Sequence, residues 1–138
     1  EESIIESDVD IGPFSHLRKD TVVRSQTHIG NFVEIKKSEI GSNTKIGHFT
    51  YIGDANLGSE VNIGAGTVTC NFDGINKNPT MIGDKSFIGC DTMLVAPVTV
   101  GNESVTGAGA VVTKNVPPKT LVVGVPAKVI KIITSDNN

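Results

Sequence analysis

Along most of the chain a large aliphatic residue returns at every sixth position, with two steps of five, and a small or β-branched residue precedes it by two. The aliphatic series consists of Ile5, Ile11, Leu17, Val23, Ile29, Ile35, Ile40, Ile46, Ile52, Leu57, Ile63, Ile82, Ile88, Leu94 and Val100. Because residues i and i−2 of a strand face the same side, each hexad predicts a short strand with two inward side chains. Three such strands per turn, stacked about 4.8 Å apart, predict an all-β parallel solenoid with a narrow aliphatic core.

The composition agrees with this pattern. The chain contains 15 Ile, 17 Val and 13 Thr but only 4 Leu, and β-branched side chains suit a pleated backbone. Of its 15 glycines, 11 directly follow Ile, Val or Leu. We expect each of these glycines to occupy a bend between strands, where its freedom at positive φ is useful.

The repeat is interrupted once, at about residues 70–81, which read CNFDGINKNPTM. Asp-Gly and Asn-Pro within this stretch favour turns, so we expect a loop that projects from one face of the solenoid. The repeat also fades near Pro117. The sequence therefore predicts a β-helix over residues 1–116, followed by a closing segment and tail over 117–138.

Charge and cysteine content exclude several classes of function. The net charge is −3, so no basic excess points to a nucleic-acid surface, and no apolar run approaches the roughly 18 residues that span a bilayer. Two cysteines, Cys70 and Cys90, form neither a disulfide framework nor a CxxC zinc pattern. We expect a cytoplasmic protein without nucleic-acid or membrane partners.

Several strings carry a resemblance to a known family. The hexads resemble those of hexapeptide-repeat acyltransferases, which are left-handed parallel β-helices and usually trimers. More closely, IGPFSHLR, IGNFVEIKKS, GHFTYIGDA, VNIGAGTVTCNFDGINK and LVAPVTVG resemble one family within that group. It is the acetyltransferase domain of the bacterial bifunctional N-acetylglucosamine-1-phosphate uridylyltransferases/glucosamine-1-phosphate N-acetyltransferases.

The resemblance implies an activity and an assembly. The reaction would transfer acetyl from acetyl-CoA, as co-substrate, to the amine of glucosamine 1-phosphate, without a metal. The protein would be a homotrimer with its active sites between subunits. Because the sequence lacks the Gly-rich loop of the family's uridylyltransferase domain, we expect a C-terminal domain of a longer protein; a natural single-domain relative is the alternative.

Two residues match the family's catalytic positions. An attacking amine must lose a proton as the amide forms, and a histidine of near-neutral pKa suits that role. The resemblance places His48, in GHFTY, at the catalytic base, and Asn71, in CNFDG, beside the acetyl group, where an amide can hold the amine or the developing oxyanion. A bend histidine and a turn-forming asparagine are the structural alternatives.

Five further residues match substrate-binding positions of the family. They are Arg18, Lys36, Tyr51, Asn62 and Lys77. Arginine can hold a phosphate by two parallel hydrogen bonds, whereas lysine acts more as a point charge. Solvated surface charges, and a coil-edge amide at Asn62, are the alternatives.

Ala65, Phe72, Cys90 and Ala108 match positions along the family's coenzyme A groove, with simple packing as the alternative. Two of them depart from the family, which commonly has Tyr in place of Phe72 and Ser in place of Cys90. The family's C-terminal arginine for coenzyme A is also missing from the segment LVVGVPAKVI. Three lysines are candidates to meet the coenzyme phosphates instead: Lys114, Lys119 and Lys128.

Three other functions compete with this interpretation. A related acetyltransferase could act on another amino sugar or a hydroxyl, and a noncatalytic trimeric β-helix would also fit the bare repeat. A zinc enzyme would need three histidines that meet at one metal. The spacing of His16, His28 and His48 places them on different parts of the coil, so we expect no metal site within one subunit.

Overall fold

The computed structural model describes residues 2–134, and its regular elements in that range are all β-strands. In chain order the strands are β1 (Ile4–Ile5), β2 (Asp10–Ile11), β3 (His16–Leu17), β4 (Val22–Val23), β5 (His28–Lys36), β6 (Glu39–Ile40), β7 (Lys45–Gly53), β8 (Ala55–Leu57), β9 (Asn62–Ile63), β10 (Val68–Cys70), β11 (Thr80–Ile82), β12 (Phe87–Ile88), β13 (Met93–Val95), β14 (Val98–Val100), β15 (Val105–Thr106), β16 (Val111–Val112), β17 (Thr120–Val123) and β18 (Lys128–Ile132). Over the same residues there is no apolar helix of membrane-spanning length.

The strands form three faces. Within each face, strands of successive coils pair in parallel, up to β17. Face one is a six-stranded sheet in the order β1-β4-β6-β8-β11-β14, and a bridge from Val100 to Val116 adds a seventh rung. Faces two and three belong to one twelve-stranded sheet, because β5 and β7 continue around the corner between them. The first half of β5 pairs with β2 on face two, and its second half pairs with β3 on face three. The predicted parallel β-solenoid is confirmed.

The core contains the side chains that the repeat points inward. From Val23 to Val100 every aliphatic residue of the series is at most 3% exposed. Ile5 is 49% exposed, since the first coil has a neighbouring coil on one side only. Several small polar residues two positions earlier are also buried. The hydroxyls of Thr21 and Thr27 donate to backbone carbonyls of the next coil, at Ile35 (3.2 Å) and Gly41 (3.0 Å).

The role predicted for the repeat glycines is wrong. Among the glycines that follow an aliphatic residue within the described range, Gly124 alone has a positive φ. The left-handed bends instead use other residues, such as Phe14 (φ 61°) and Asp54 (φ 51°). At most of these positions glycine is required because stacked coils approach closely: a Cβ on Gly30 would overlap the carbonyl oxygen of Gly47.

The predicted loop is present between β10 and β11. A bridge between Phe72 and Lys77 closes it, and the Asp73 carboxylate accepts hydrogen bonds from the backbone N–H groups of Ile75 (2.8 Å) and Asn76 (2.6 Å). The strand register of face one resumes after the loop, because β11 pairs with both β8 and β14. The loop therefore leaves the stacking of the coils intact.

The C-terminal part of the described chain extends the solenoid. After the two prolines, β17 pairs in parallel with β15 on face two, and β18 then returns antiparallel to β17. The last four residues of the predicted closing segment, 135–138, lie outside the described residues.

Candidate active site

Two groups of predicted site residues lie at the two edges of face three. At the edge shared with face two, residues two positions after an inward residue stack from coil to coil. This group, the corner column, consists of His48, Ala65, Cys90 and Ala108. At the start of the column, His48 pairs with Asn31 of the preceding coil. Farther along, the N–H of Asp91 donates to the Ala65 carbonyl and that of Gly109 to the Cys90 carbonyl, each at 2.8 Å.

An exposed aromatic ladder lies beside the start of the corner column. The rings of Phe14, Phe32 and Phe49 stack with centroids 5.3 and 5.1 Å apart and are nearly parallel. In the next coil the equivalent bend residue is Gly66. The corner is therefore flanked by rings next to His48 and is open where Ala65 begins.

The second group contains the predicted phosphate-binding cations, at the edge shared with face one. A cavity of about 470 Å³ is lined by His16, Leu17, Arg18, Lys19, Lys36, Lys37 and Lys77. Five of these seven residues are cations, and none is an acid. Glu34 lies nearby and forms an ion pair of 2.9 Å with Arg18. The cavity thus has the charge that an anionic group requires.

Asp54, which was not predicted as a site residue, joins the polar side chains at this edge by hydrogen bonds. One oxygen of Asp54 accepts hydrogen bonds from Lys36 Nζ at 3.1 Å and from Asn71 Nδ2 at 2.6 Å. The same amide nitrogen lies 3.2 Å from the hydroxyl of Tyr51. We call these four residues the Asp54 cluster. Asp54 could have been found from the coil length, because it follows Lys36 by 18 residues and precedes Asn71 by 17.

The ionisation of the cluster follows from its burial and its partners. Burial alone would raise the pKa of Asp54, but hydrogen bonds from Asn71 and Lys36 outweigh it and hold that pKa below its ordinary value. Burial would likewise lower the pKa of Lys36, yet its hydrogen bond to Asp54 and the charge of that carboxylate raise it. Proximity to the ammonium group of Lys36 lowers the pKa of Lys77. Lys36 and Asp54 therefore form a charged pair near neutral pH.

Other predicted residues lie outside both groups. Asn62 is on face two, paired with Lys45 and Phe87, and Phe72 is exposed on the loop. Of the three lysines considered for coenzyme A, Lys114 and Lys128 line a cavity of about 380 Å³ near the C-terminus. Lys119 instead lies 3.9 Å from Glu103.

The three histidines lie on different parts of the coil, as the sequence predicts. His16 is on face three and His28 on face two, where its ring nitrogen lies 2.5 Å from Asp10. His48 is at the exposed corner between those faces. Within residues 2–134 no three His, Cys, Asp or Glu side chains are grouped so that they could hold a metal ion.

The two groups are far apart within one chain. His48 and Gly53, the residue before Asp54, are both on β7, and the five residues after His48 span at most roughly 16 Å, since Phe49 forms a bend. Face three therefore separates the predicted base from the predicted phosphate site within one chain.

Comparison with known proteins finds relatives for most of the chain. The sequence model of the bacterial transferase hexapeptide family (six repeats) matches residues 79–114. The bifunctional protein GlmU of Thermotoga petrophila is 55% identical over 129 residues, and that of Desulfitobacterium hafniense is 52% identical over 122. The chain is a hexapeptide-repeat protein homologous to part of GlmU. The matches cover 94% and 88% of this chain but only 29% and 27% of those relatives.

Solved structures agree on the fold. PerB from Caulobacter crescentus, determined in complex with CoA and GDP-perosamine, has a TM-score of 0.81 at 24% identity, over 89% of this chain and 57% of its own. A mutant of AntD, an N-acyltransferase from Bacillus cereus, in complex with dTDP and coenzyme A has a TM-score of 0.86 at 19% identity. That match covers 97% of this chain and 84% of AntD. At these identities the likeness concerns the fold alone.

Proposed function

We propose that the chain is an acetyl-CoA-dependent N-acetyltransferase that converts glucosamine 1-phosphate into N-acetylglucosamine 1-phosphate in the cytoplasm. The observation that carries the proposal is the 55% identity to GlmU over nearly the whole chain, which includes both edges of face three. The five-cation cavity supports a phosphorylated acceptor, because an uncharged sugar has no group that would require it.

The phosphate would bind at the cavity beside the Asp54 cluster. Arg18 can present two parallel N–H donors to it, and Lys77 adds a mobile charge from the loop. Lys36 is fixed by Asp54, so it supplies a point charge and a donor in a constant place. Tyr51 and Asn62 would contact the sugar.

The chemistry requires one proton transfer and one bond exchange. The acceptor nitrogen attacks the thioester carbonyl, the carbon–sulfur bond breaks, and coenzyme A leaves as the thiol once it takes up a proton. His48 is the base that removes the proton from the nitrogen, and it can return that proton to the departing sulfur. Asn71 holds the amine through its amide oxygen, because both of its N–H donors already serve Asp54 and Tyr51.

The distance between the corner column and the Asp54 cluster supports a site that is completed between subunits. A homotrimer would bring the corner column of one copy to the Asp54 cluster of the next, as closed cyclic symmetry permits. Acetyl-CoA would then lie along Ala65, Cys90 and Ala108, with Phe72 of the loop beside it. Small side chains and backbone groups suit a long, flexible ligand at this edge.

The test is release of free thiol from acetyl-CoA, measured with glucosamine 1-phosphate, with glucosamine and with no acceptor. The proposal predicts release that requires the phosphorylated sugar. Lys36→Met should abolish thiol release with glucosamine 1-phosphate, whereas Lys85→Met, on an exposed lysine near Glu60 in another part of the coil, should not. Equal rates with both sugars, or release with a different acceptor only, would contradict the proposal.

A further inference from the structure

We propose that Asp54 is a positioning residue of the acetyl-transfer site, which fixes the carboxamide of Asn71 so that its oxygen is free to accept a hydrogen bond from the acceptor. This inference rests on the proposed function. It gives a role to Asp54, which lies in the GHFTYIGDA string but to which the resemblance assigns no function.

The orientation of Asn71 follows from the chemistry of its partners. An ionised carboxylate only accepts hydrogen bonds, so the amide must turn its NH₂ group towards Asp54. The distance of 2.6 Å between Asn71 Nδ2 and Asp54 Oδ2 is that of a strong hydrogen bond. The second amide proton points to the Tyr51 hydroxyl, at 3.2 Å. Both donors are used, and in the described part of the chain no donor is bonded to the amide oxygen.

Asp54 is itself held in place from two sides. Its backbone N–H donates to the carbonyl of Lys36 at 3.0 Å, and its own carbonyl accepts from the N–H of Thr80 at 3.2 Å. The first bond joins it to the preceding coil and the second to the first residue after the loop. The end of the loop that contains Asn71 is therefore held in a fixed position relative to Asp54.

Gly53 provides the space for this arrangement. A Cβ at that position would overlap the Tyr51 hydroxyl and lie 2.6 Å from Asn71 Nδ2. Asn71 is 7% exposed, so its amide packs into a site shaped for it and not into open solvent. The glycine of the GDA sequence thus leaves room, and the aspartate beside it sets the direction of the amide.

The conservative variant Asp54→Asn keeps the shape of the side chain at position 54 but removes the carboxylate that orients the Asn71 amide. An asparagine accepts the left-handed backbone of this bend as readily as aspartate does, so the fold should persist. Its amide can present either its oxygen or its NH₂ group, and Asn71 is then free to rotate. We expect kcat to fall about 10- to 100-fold, since small misplacements of reacting groups have effects of that size, with the KM for acetyl-CoA changed less than about twofold.

A double-mutant cycle with Asn71→Ala tests the proposal. If Asp54 acts through Asn71, the double variant Asp54→Asn/Asn71→Ala should have a kcat within about twofold of Asn71→Ala alone. Asp8→Asn, at a left-handed bend of the first coil, is the matched control and should leave kcat unchanged. Multiplicative losses in the double variant would overturn the proposal.

A spectroscopic measurement keeps this test separate from that of the proposed function. The ¹⁵N–¹H side-chain resonances of Asn71 should show slow proton exchange in the wild type and fast exchange in Asp54→Asn, whether or not the protein acetylates glucosamine 1-phosphate. Unchanged exchange in the folded variant would overturn the positioning role, even for an active enzyme. Absence of turnover in the wild type with the expected change in exchange would contradict the proposed function only.

Discussion

The two edges of face three are built in different ways from the same repeat. The corner column consists of one exposed histidine and three small residues, which are placed by backbone pairing between coils. The Asp54 cluster is a network of side chains, in which residues from three successive coils share hydrogen bonds. A regular solenoid can therefore offer a groove through its backbone alone, whereas a site that orients a substrate needs side chains and an added loop.

The contrast between the corner column and the Asp54 cluster predicts the effect of removing the His48 side chain. Since its neighbours in the column offer no other base, His48→Ala should lower kcat by about 10² to 10⁴, the usual contribution of a general base. His28→Ala is the matched control, because that histidine is also exposed and is paired with Asp10 on face two. Steady-state thiol release on folded protein measures both, and an unchanged kcat for His48→Ala would exclude it as the base.

The role of close backbone approach can be tested by two glycine substitutions. Gly30→Ala places a methyl group against the Gly47 carbonyl and should destabilise the fold by about 3 kcal/mol or more, at the upper end of overpacking effects. Gly47→Ala meets nothing within 4 Å and should change stability by less than about 0.5 kcal/mol. Thermal and denaturant unfolding give both values, and equal losses would show that conformational freedom matters more than space.

Substitution of Arg18 tests which edge of face three binds the phosphorylated sugar and which binds acetyl-CoA. Arg18→Ala should raise the KM for glucosamine 1-phosphate about tenfold, within the range for a charged hydrogen bond, and leave that for acetyl-CoA unchanged. Arg24→Ala removes a comparable half-exposed arginine, paired with Glu6 at 2.8 Å, and should leave both constants unchanged. A selective effect of Arg18→Ala on acetyl-CoA would place the coenzyme, and not the phosphate, at this edge.

The smallest expected effect is the pH dependence of stability from Asp54. Its pKa is lowered in the folded state, so its stabilising contribution is complete above the unfolded value of about 3.9 and is lost as the pH falls through the folded value. Asp54→Asn should reduce stability by about 1 kcal/mol near neutral pH, with the difference vanishing in acid. Denaturant titrations at pH 7 and pH 3 measure it; a difference that grows in acid would contradict this sign.

The sequence predicted the fold and the core well because the side-chain period of a strand determines which residues face inward. It was wrong about the repeat glycines, since the hexad pattern cannot distinguish a bend from a close contact between coils. Asp54 was missed for another reason. Its partners Lys36 and Asn71 are each about one coil away, and the hexad pattern does not show which of the side chains stacked at that spacing bond to one another.

A site shared between the two edges of face three of neighbouring subunits is tested most directly by mixed trimers. Two inactive variants, His48→Ala and Lys36→Met, can be produced together with different tags, and mixed trimers isolated by two affinity steps. In a cyclic trimer each mixed assembly contains one junction where both contributing halves are intact, so activity should return to about one third of the wild-type value. If the mixed trimers remain as inactive as the separate variants, the site lies within one subunit and the shared site is contradicted.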